Sequence, residues 1–479
     1  MRRALAARAA MVLVATLPAA CSLAPEYEVP ATTQVETWKE AGEWLPAAPA
    51  DTVARGAWWE RFDDATLNEL QQRLSLGSQD LRAAAARYDA ARAVARVTRS
   101  DLLPSIRTDA SVTRAHSSAN VARSGGVSST GEDYSATLGF AWEIDLFGRL
   151  RNQHAAARDR AVAAGADLAA VELALRAELA TDYFALRGLD ATIELLQNAA
   201  GFYEGSLSRI RNRYQSGIAA ATDVDQAQAL QSTTQAQLAS ARLQRARLEH
   251  AIAVLLGEPA AGFSLAVATT LGNPPAIDLV LPAALLQRRP DIASAERAVA
   301  AANAEIGVAR AAWFPVFSFG ASGGYEAATA HDWFSAPSRI WGLGPALGMT
   351  LLDAGRRAGI SDEARARFDE AAAQYRQVTL VAYGEVEDAL AALRHLADAQ
   401  LAQETAATAA TSSARHADQR YAAGIADYLE VSTTQTTALQ ARRAALDARV
   451  DRLNAAVALV RAFGGDWDGS PPVVETAQR

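Results

Sequence analysis

Residues 134–149, YSATLGFAWEIDLFGR, decide the fold of this 479-residue chain. Every second residue from Tyr134 to Ile144 is apolar, and the residues between them are small or polar. A period of two residues is typical of a β-strand with two different faces. A strand that crosses a membrane at a tilt needs about 9–11 residues. The pattern therefore predicts a membrane strand over about 134–146.

Three other stretches alternate in the same way and predict strands over about 105–115, 316–325 and 340–352. A half-buried sheet of a soluble protein is the alternative interpretation. Two observations favour a membrane: no amphipathic helix is left to cover the apolar face, and aromatic residues cluster around these strands, as they do in interfacial belts. The predicted aromatic belt consists of Trp142, Trp313, Trp333 and Trp341.

A sheet of four strands has two edges with unpaired backbone groups, which lipid does not tolerate. Two chains would supply eight strands, enough for a barrel filled by its own side chains, whereas three would supply twelve and leave an open lumen. The polar face of these strands carries small residues, which suit a lumen. We therefore predict a homotrimer that shares one 12-strand β-barrel.

The chain contains two copies of one structural repeat. Arg213–Ile218 reads RYQSGI, and Arg420–Ile425 reads RYAAGI. Apolar residues before the first motif recur every three or four positions, which is typical of a coiled coil. We predict long helices over about 150–215 and 356–421, each followed by a tip turn and a return helix. Gly217 and Gly424 mark the tip turns, which are predicted at 216–222 and 422–429.

The N-terminus has the features of an export signal. Arginines precede a short apolar stretch, and small residues lead to the single cysteine, Cys21. Cys21 fits the lipid-attachment site of a bacterial lipoprotein, although Pro18 stands where leucine is usual. We expect a covalent lipid on Cys21; a stray cysteine is the alternative interpretation.

The predicted organisation is a signal peptide at 1–20, a lipidated extended tether at 21–60, a first repeat at 61–258, an equatorial junction at 259–290, a second repeat at 291–463 and a C-terminal tail at 464–479. The net charge of −8 argues against nucleic-acid binding. The six histidines have no metal-ligand spacing, and no nucleophile elbow or P-loop lysine occurs in the sequence. We therefore predict no enzyme activity, no metal and no cofactor besides the lipid.

Several motifs, taken in order, resemble those of TolC-like outer membrane factors, specifically the lipoprotein branch of resistance-nodulation-division (RND) efflux channels. They are Cys21–Tyr27 (CSLAPEY), Trp58-Trp59, Pro104 with Pro315, Trp142–Arg149 (WEIDLFGR) and the two Arg-Tyr-x-x-Gly-Ile turns. The resemblance implies a mixed α/β membrane protein, a trimer with a 12-strand β-barrel above an α-helical periplasmic tunnel. It also implies two protein partners, a periplasmic membrane fusion (adaptor) protein and an inner-membrane RND transporter, and a lipid-anchored location in the outer membrane.

The resemblance further implies a gate at the periplasmic end, formed by side chains near the tip turns. The matching positions are Glu430, Asp223, Thr222 and Tyr421, with Asp427 as a further candidate. Ala426 and Thr433 depart from the family pattern, in which a basic link partner and a second acidic ring occur. Asp223 has an alternative role as an N-cap of the return helix.

The sequence therefore favours a passive duct that exports small molecules. Two alternatives stay open: the duct of a type I protein secretion system, and a periplasmic coiled-coil structural or adhesin protein without a pore. The lipoprotein-type N-terminus favours the efflux branch over the first alternative. The alternating strands count against the second.

Overall fold

The computed structural model describes residues 22–33, 35–41, 57–120, 128–275 and 288–465. The predictions for the signal peptide, for Cys21 and for most of the tail lie outside these residues, as do parts of the tether and of the junction. Within them, the chain is mostly helical with one four-stranded sheet, as predicted. No helix in this described part is long and apolar enough to span a membrane.

The order helix, strand, strand, helix, helix occurs twice, in agreement with a duplicated chain. The helices and strands are α1 (Ala65–Gly77), α2 (Gln79–Ser100), β1 (Ser105–Ser117), β2 (Ser129–Ile144), α3 (Arg149–Gln215), α4 (Ala221–Leu255), α5 (Pro290–Ala311), β3 (Val316–Ala327), β4 (Arg339–Gly348), α6 (Arg356–Ala422) and α7 (Tyr428–Ala462). The long helices α3 and α6 have 67 residues each. At 1.5 Å per residue, each is roughly 100 Å long.

The chain divides into two compact units. The strand unit comprises residues 1–31, 88–164 and 295–375, and the helical unit comprises residues 32–87, 165–294 and 376–479. The strand unit contains the sheet. The helical unit contains both tip turns.

The four strands form one antiparallel sheet in the order β1-β2-β3-β4, so β1 and β4 are its edges. Phe140 pairs with Ile106 on one side and with Ala321 on the other, and Ala321 also pairs with Leu343. Directly paired residues point to the same face of a sheet. Apart from Val316 and Ile340, the large apolar residues of all four strands therefore share one face. This face is exposed in the chain: Leu343 is 67% and Trp341 is 77% exposed.

Two strand boundaries differ from the prediction. β2 begins at Ser129, before the predicted start at 134, because β1 extends to Ser117 and these two ends pair. Backbone pairing continues there through polar residues that an apolar pattern does not mark. β4 ends at Gly348, before the predicted end at 352, where it pairs with Val316 at the start of β3. Pro315 comes directly before Val316, and a proline nitrogen has no hydrogen to donate to a strand ladder.

The strand-to-helix junctions of the two repeats are built alike. Asp145 Oδ2 accepts hydrogen bonds from the backbone N–H of Arg151 (2.9 Å) and from its Nε (3.2 Å). In the second repeat, Asp353 Oδ2 accepts from the backbone N–H of Arg357 (3.2 Å) and from its Nε (2.5 Å). Each aspartate thus satisfies a backbone donor in the first turn of a long helix, where negative charge is favourable.

The first described residues of the tether lie on helices of the strand unit. Ser22 Oγ donates to Asn152 Oδ1 of α3 at 2.9 Å, and Asn303 Nδ2 of α5 donates to the carbonyl of Pro25 at 2.9 Å. The Tyr27 hydroxyl donates to the Glu296 carboxylate. These side-chain contacts hold the segment against α3 and α5.

A buried carboxylate joins three segments of the helical unit. Asp190 of α3 accepts hydrogen bonds from Arg187 Nη1 (3.1 Å), from Arg245 Nε of α4 (2.6 Å) and from the backbone N–H of Ala268 (3.1 Å). The side chain of Asp190 is fully buried. Two guanidinium groups and one backbone N–H thus compensate a charge that would otherwise be costly to bury.

Candidate functional site: the two tip turns

The backbone of the two tip turns, residues 216–220 and 423–427, follows one design. Gly217 and Gly424 have φ angles of +72° and +74°. The N–H groups of Ile218 and Ile425 donate to the carbonyls of Arg213 (2.8 Å) and Arg420 (2.9 Å). This is the Schellman motif, in which a left-handed residue ends a helix. Glycine adopts that conformation without the strain that a Cβ would add, so the Arg-Tyr-x-x-Gly-Ile motif specifies the turn.

The two turns differ in how the next helix is capped. In the first turn, Asp223 Oδ2 accepts from the backbone N–H of Ala220 at 3.3 Å. In the second turn, Asp427 occupies the N-cap position of α7, and its Oδ1 accepts from the backbone N–H of Glu430 at 2.9 Å. The N-cap role that was the alternative interpretation of Asp223 is therefore wrong: Ala220 occupies the N-cap position, and Asp223, three residues later, accepts a hydrogen bond from the Ala220 backbone N–H. The carboxylate of Glu430 is not needed for capping, and it pairs with Arg420 Nη1 at 2.9 Å.

A small apolar core lies behind both turns and joins the four helices α3, α4, α6 and α7. Tyr428 is only 2% exposed and belongs to this core. Its buried members are Leu207, Ile210, Ala227, Ala417, Tyr428 and Val431. Because every one of these helices contributes a side chain, the two helical hairpins are packed together at their turns.

An aromatic and cationic stack borders this core. The rings of Tyr421 and Tyr428 meet edge to face at 5.7 Å, and the Arg213 guanidinium lies 5.0 Å from the Tyr421 ring centre. Burial raises the pKa of the Tyr421 hydroxyl, and the positive charge of Arg213 opposes that shift. Burial also raises the pKa of Tyr428, whose hydroxyl hydrogen-bonds Ser206. Both tyrosines therefore stay neutral at physiological pH.

The structure brings some of the predicted gate residues together and leaves others apart. Tyr421 belongs to the stack, and the Asp427 carboxylate accepts a hydrogen bond from the backbone N–H of Glu430. Thr222 is exposed, and no hydrogen bond of the described residues joins it to another predicted gate residue. Sequence reasoning missed Tyr428 and Arg420. The sequence could have indicated that Tyr428 packs near Tyr421, because it lies seven residues later, across the turn, as the first residue of α7.

The predicted belt tryptophans lie in the strand unit, toward the two ends of the sheet. Near the long helices, Trp142 Nε1 donates to the carbonyl of Leu102 (3.2 Å) and Trp313 Nε1 to Ser361 Oγ (3.2 Å). Near the β3–β4 loop, Trp333 packs 5.5 Å from Tyr134, and Trp341 follows shortly in β4. Tyr134 and Trp142 are eight residues apart in β2, which is about 26 Å along a strand.

The sequence and the structure are both similar to those of known outer membrane efflux proteins. Residues 70–258 and 281–465 match the profile of a family described as outer membrane efflux protein. The chain is 32% identical over 469 residues to the toluene efflux pump outer membrane protein TtgF of Pseudomonas putida, with 96% of each chain covered. It is 32% identical over 463 residues to the outer membrane protein OprJ of Pseudomonas aeruginosa, with 95% of each covered. Its structure is similar to that of the outer-membrane channel OprN, with a TM-score of 0.82 at 31% identity over 93% of this chain and 99% of that one.

Proposed function

Because this chain belongs to the outer membrane efflux protein family, we propose that three copies form the outer-membrane duct of a tripartite efflux system. The duct receives small molecules through a periplasmic adaptor protein from an inner-membrane RND transporter and releases them outside the cell. The transporter supplies the energy, and this chain performs no catalytic step. The similarity to a toluene efflux protein supports small molecules as cargo over exported polypeptides.

The open sheet of the strand unit is the observation that carries this proposal. One face is apolar and exposed, and most residues of the opposite face are small or polar. Among the described residues, no strand pairs with the outer edge of β1 or of β4. In lipid, such edges must be paired. β1 of one copy pairs with β4 of the next, and three copies close a barrel that is wide enough to keep a lumen.

The tip turns supply the contact with the adaptor and the gate. Ile218 and Ile425 occupy the same position in the two repeats, and they are 67% and 71% exposed. Exposed apolar side chains at the ends of both hairpins suit a protein partner. The residues around them, Asp223, Thr222, Tyr421, Asp427 and Glu430, form the gate of the proposed duct.

Conductance of the purified protein tests the duct directly. We expect particles of three chains in detergent and small, discrete conductance steps in a planar lipid bilayer, because a closed tip restricts ion flow. Mass measurement in detergent and single-channel recording check these two expectations on one preparation. A protein that stays monomeric and dispersed without detergent, and that gives no conductance steps, would contradict the proposal and favour a coiled-coil structural protein.

A covalent lipid on Cys21 anchors the proposed duct. Several acyl chains hold a protein on a membrane firmly, whereas one chain binds only marginally. The contacts of Ser22 with α3 and of Tyr27 with α5 support this proposal, because they keep the segment after Cys21 against helices of the unit that contains the sheet.

We expect Cys21→Ser to abolish incorporation of radiolabelled palmitate completely, because the serine hydroxyl does not replace the thiol in lipoprotein processing. Labelling of cells followed by immunoprecipitation of the chain measures this. Ser22→Ala is a matched control, because it changes the neighbouring residue and keeps the thiol. Palmitate labelling of the Cys21→Ser chain at the control level would refute lipidation at this residue.

A further inference from the structure

The two repeats place the same charges at equivalent positions near the tip turns but use them differently. Arg213 and Arg420 are the first residues of the two turn motifs, and Asp223 and Glu430 follow each of them by ten residues. A strict duplication would give two equivalent ion pairs. The structure shows one.

In the first repeat, the acid and the base are engaged elsewhere. Ala220 occupies the N-cap position of α4 and has no side-chain acceptor. Asp223 therefore reaches back to the Ala220 N–H at 3.3 Å. The Arg213 guanidinium lies over the ring of Tyr421. No ion pair of the described residues joins Asp223 to Arg213.

In the second repeat, Asp427 stands at the position equivalent to Ala220, and the ion pair forms. Asp427 caps α7 with its own side chain, which leaves the Glu430 carboxylate free to turn toward Arg420. The Arg420 Nη1 to Glu430 Oε1 distance is 2.9 Å, and the two side chains are 54% and 34% exposed. Such an exposed pair adds little stability, typically about 0.2–1 kcal/mol. Its effect is instead on the local potential, because it places a positive charge beside Glu430.

We propose that Arg420 determines the ion preference of the duct by neutralising Glu430, so that the acidic charge at the gate comes from the Asp223 position. This inference rests on the proposed function, since three copies bring three Glu430 and three Arg420 side chains around one axis. Rings of one sign of charge select ions of the opposite sign. A ring of Glu430 carboxylates whose charges are cancelled by arginines of the same chains contributes little to that selection.

Reversal potentials in a potassium chloride gradient test the proposal. Arg420→Gln removes three positive charges around the axis, and we expect the ratio of potassium to chloride permeability to rise at least about threefold. Glu430→Gln lowers the ratio, and the double variant returns it toward the wild-type value. Arg415→Gln is the matched control, because it removes an exposed arginine about one and a half turns earlier in α6. An unchanged ratio in Arg420→Gln, or an equal rise in Arg415→Gln, overturns the proposal.

Hydrogen exchange in the turn gives a readout that does not need conduction. We expect Arg420→Gln and Glu430→Gln each to accelerate exchange of the peptide 421–431 in the detergent-solubilised protein, and the double variant to add nothing further. Independent, multiplying effects would show that the two groups do not interact and would overturn the proposal. If the double variant exchanges no faster than the single variants but no variant conducts ions, the ion pair exists and the proposed duct is contradicted.

Discussion

We expect Asp190→Ala to lower the free energy of unfolding of the helical unit by about 3–5 kcal/mol, because removing one partner of a buried ionic network leaves uncompensated charge. Arg187 and Arg245 both donate to this carboxylate, and Ala268 loses the acceptor of its N–H group. Thermal unfolding in detergent measures the effect. At about 2 °C per kcal/mol, the midpoint falls by roughly 6–10 °C.

Asp225→Ala is the control for this prediction. It removes an aspartate that is exposed on α4, and exposed substitutions usually change stability by about 0.5 kcal/mol or less. A second variant, Arg245→Met, removes one of the two guanidinium donors and tests the network from the other side. If Asp190→Ala unfolds at the same temperature as Asp225→Ala, the network does not hold α3, α4 and the 265–268 segment together.

The fold could be read from the sequence because its main signals are local. The alternation of apolar and polar residues around Phe140 indicates a strand. The two Arg-Tyr-x-x-Gly-Ile motifs indicate where the long helices α3 and α6 end. The first and last residues of the strands were harder to predict from the sequence. Ser129 belongs to β2 because Ser117 lies opposite it, and this pairing depends on the length of another strand.

The contacts of the candidate site were harder to predict than its position. Gly217 and Gly424 locate the turns, because a single residue type satisfies their backbone. The pairing of Glu430 with Arg420 depends on whether Asp427 or Glu430 caps α7, which is a competition between side chains in three dimensions. The Asp190 network joins residues far apart in the chain, and no spacing rule connects position 190 with position 245.

We expect Tyr428→Ala to raise the conductance or open probability of the duct at least about tenfold. Removing a fully buried aromatic ring costs about 3–5 kcal/mol, and about 1.4 kcal/mol is enough for a tenfold shift between two states. Tyr428 links α7 to Leu207 and Ile210 of α3 in the core behind both turns. Its loss therefore weakens the packing that keeps the two hairpins together in the resting state. Single-channel recording of the variant measures the change.

Tyr428→Phe separates the ring from its hydroxyl. This variant keeps the contact with Tyr421 and loses the hydrogen bond with Ser206, a loss of about 0.5–1.5 kcal/mol. We expect its conductance to lie between those of the wild type and of Tyr428→Ala. Trimer mass and exchange protection of β2 and β3 must stay unchanged in both variants, so that a leak reflects the turns and not failed assembly. Wild-type conductance in a correctly assembled Tyr428→Ala protein would show that this core does not hold the duct closed, and closure would then have to depend on charged side chains such as Asp223 and Glu430.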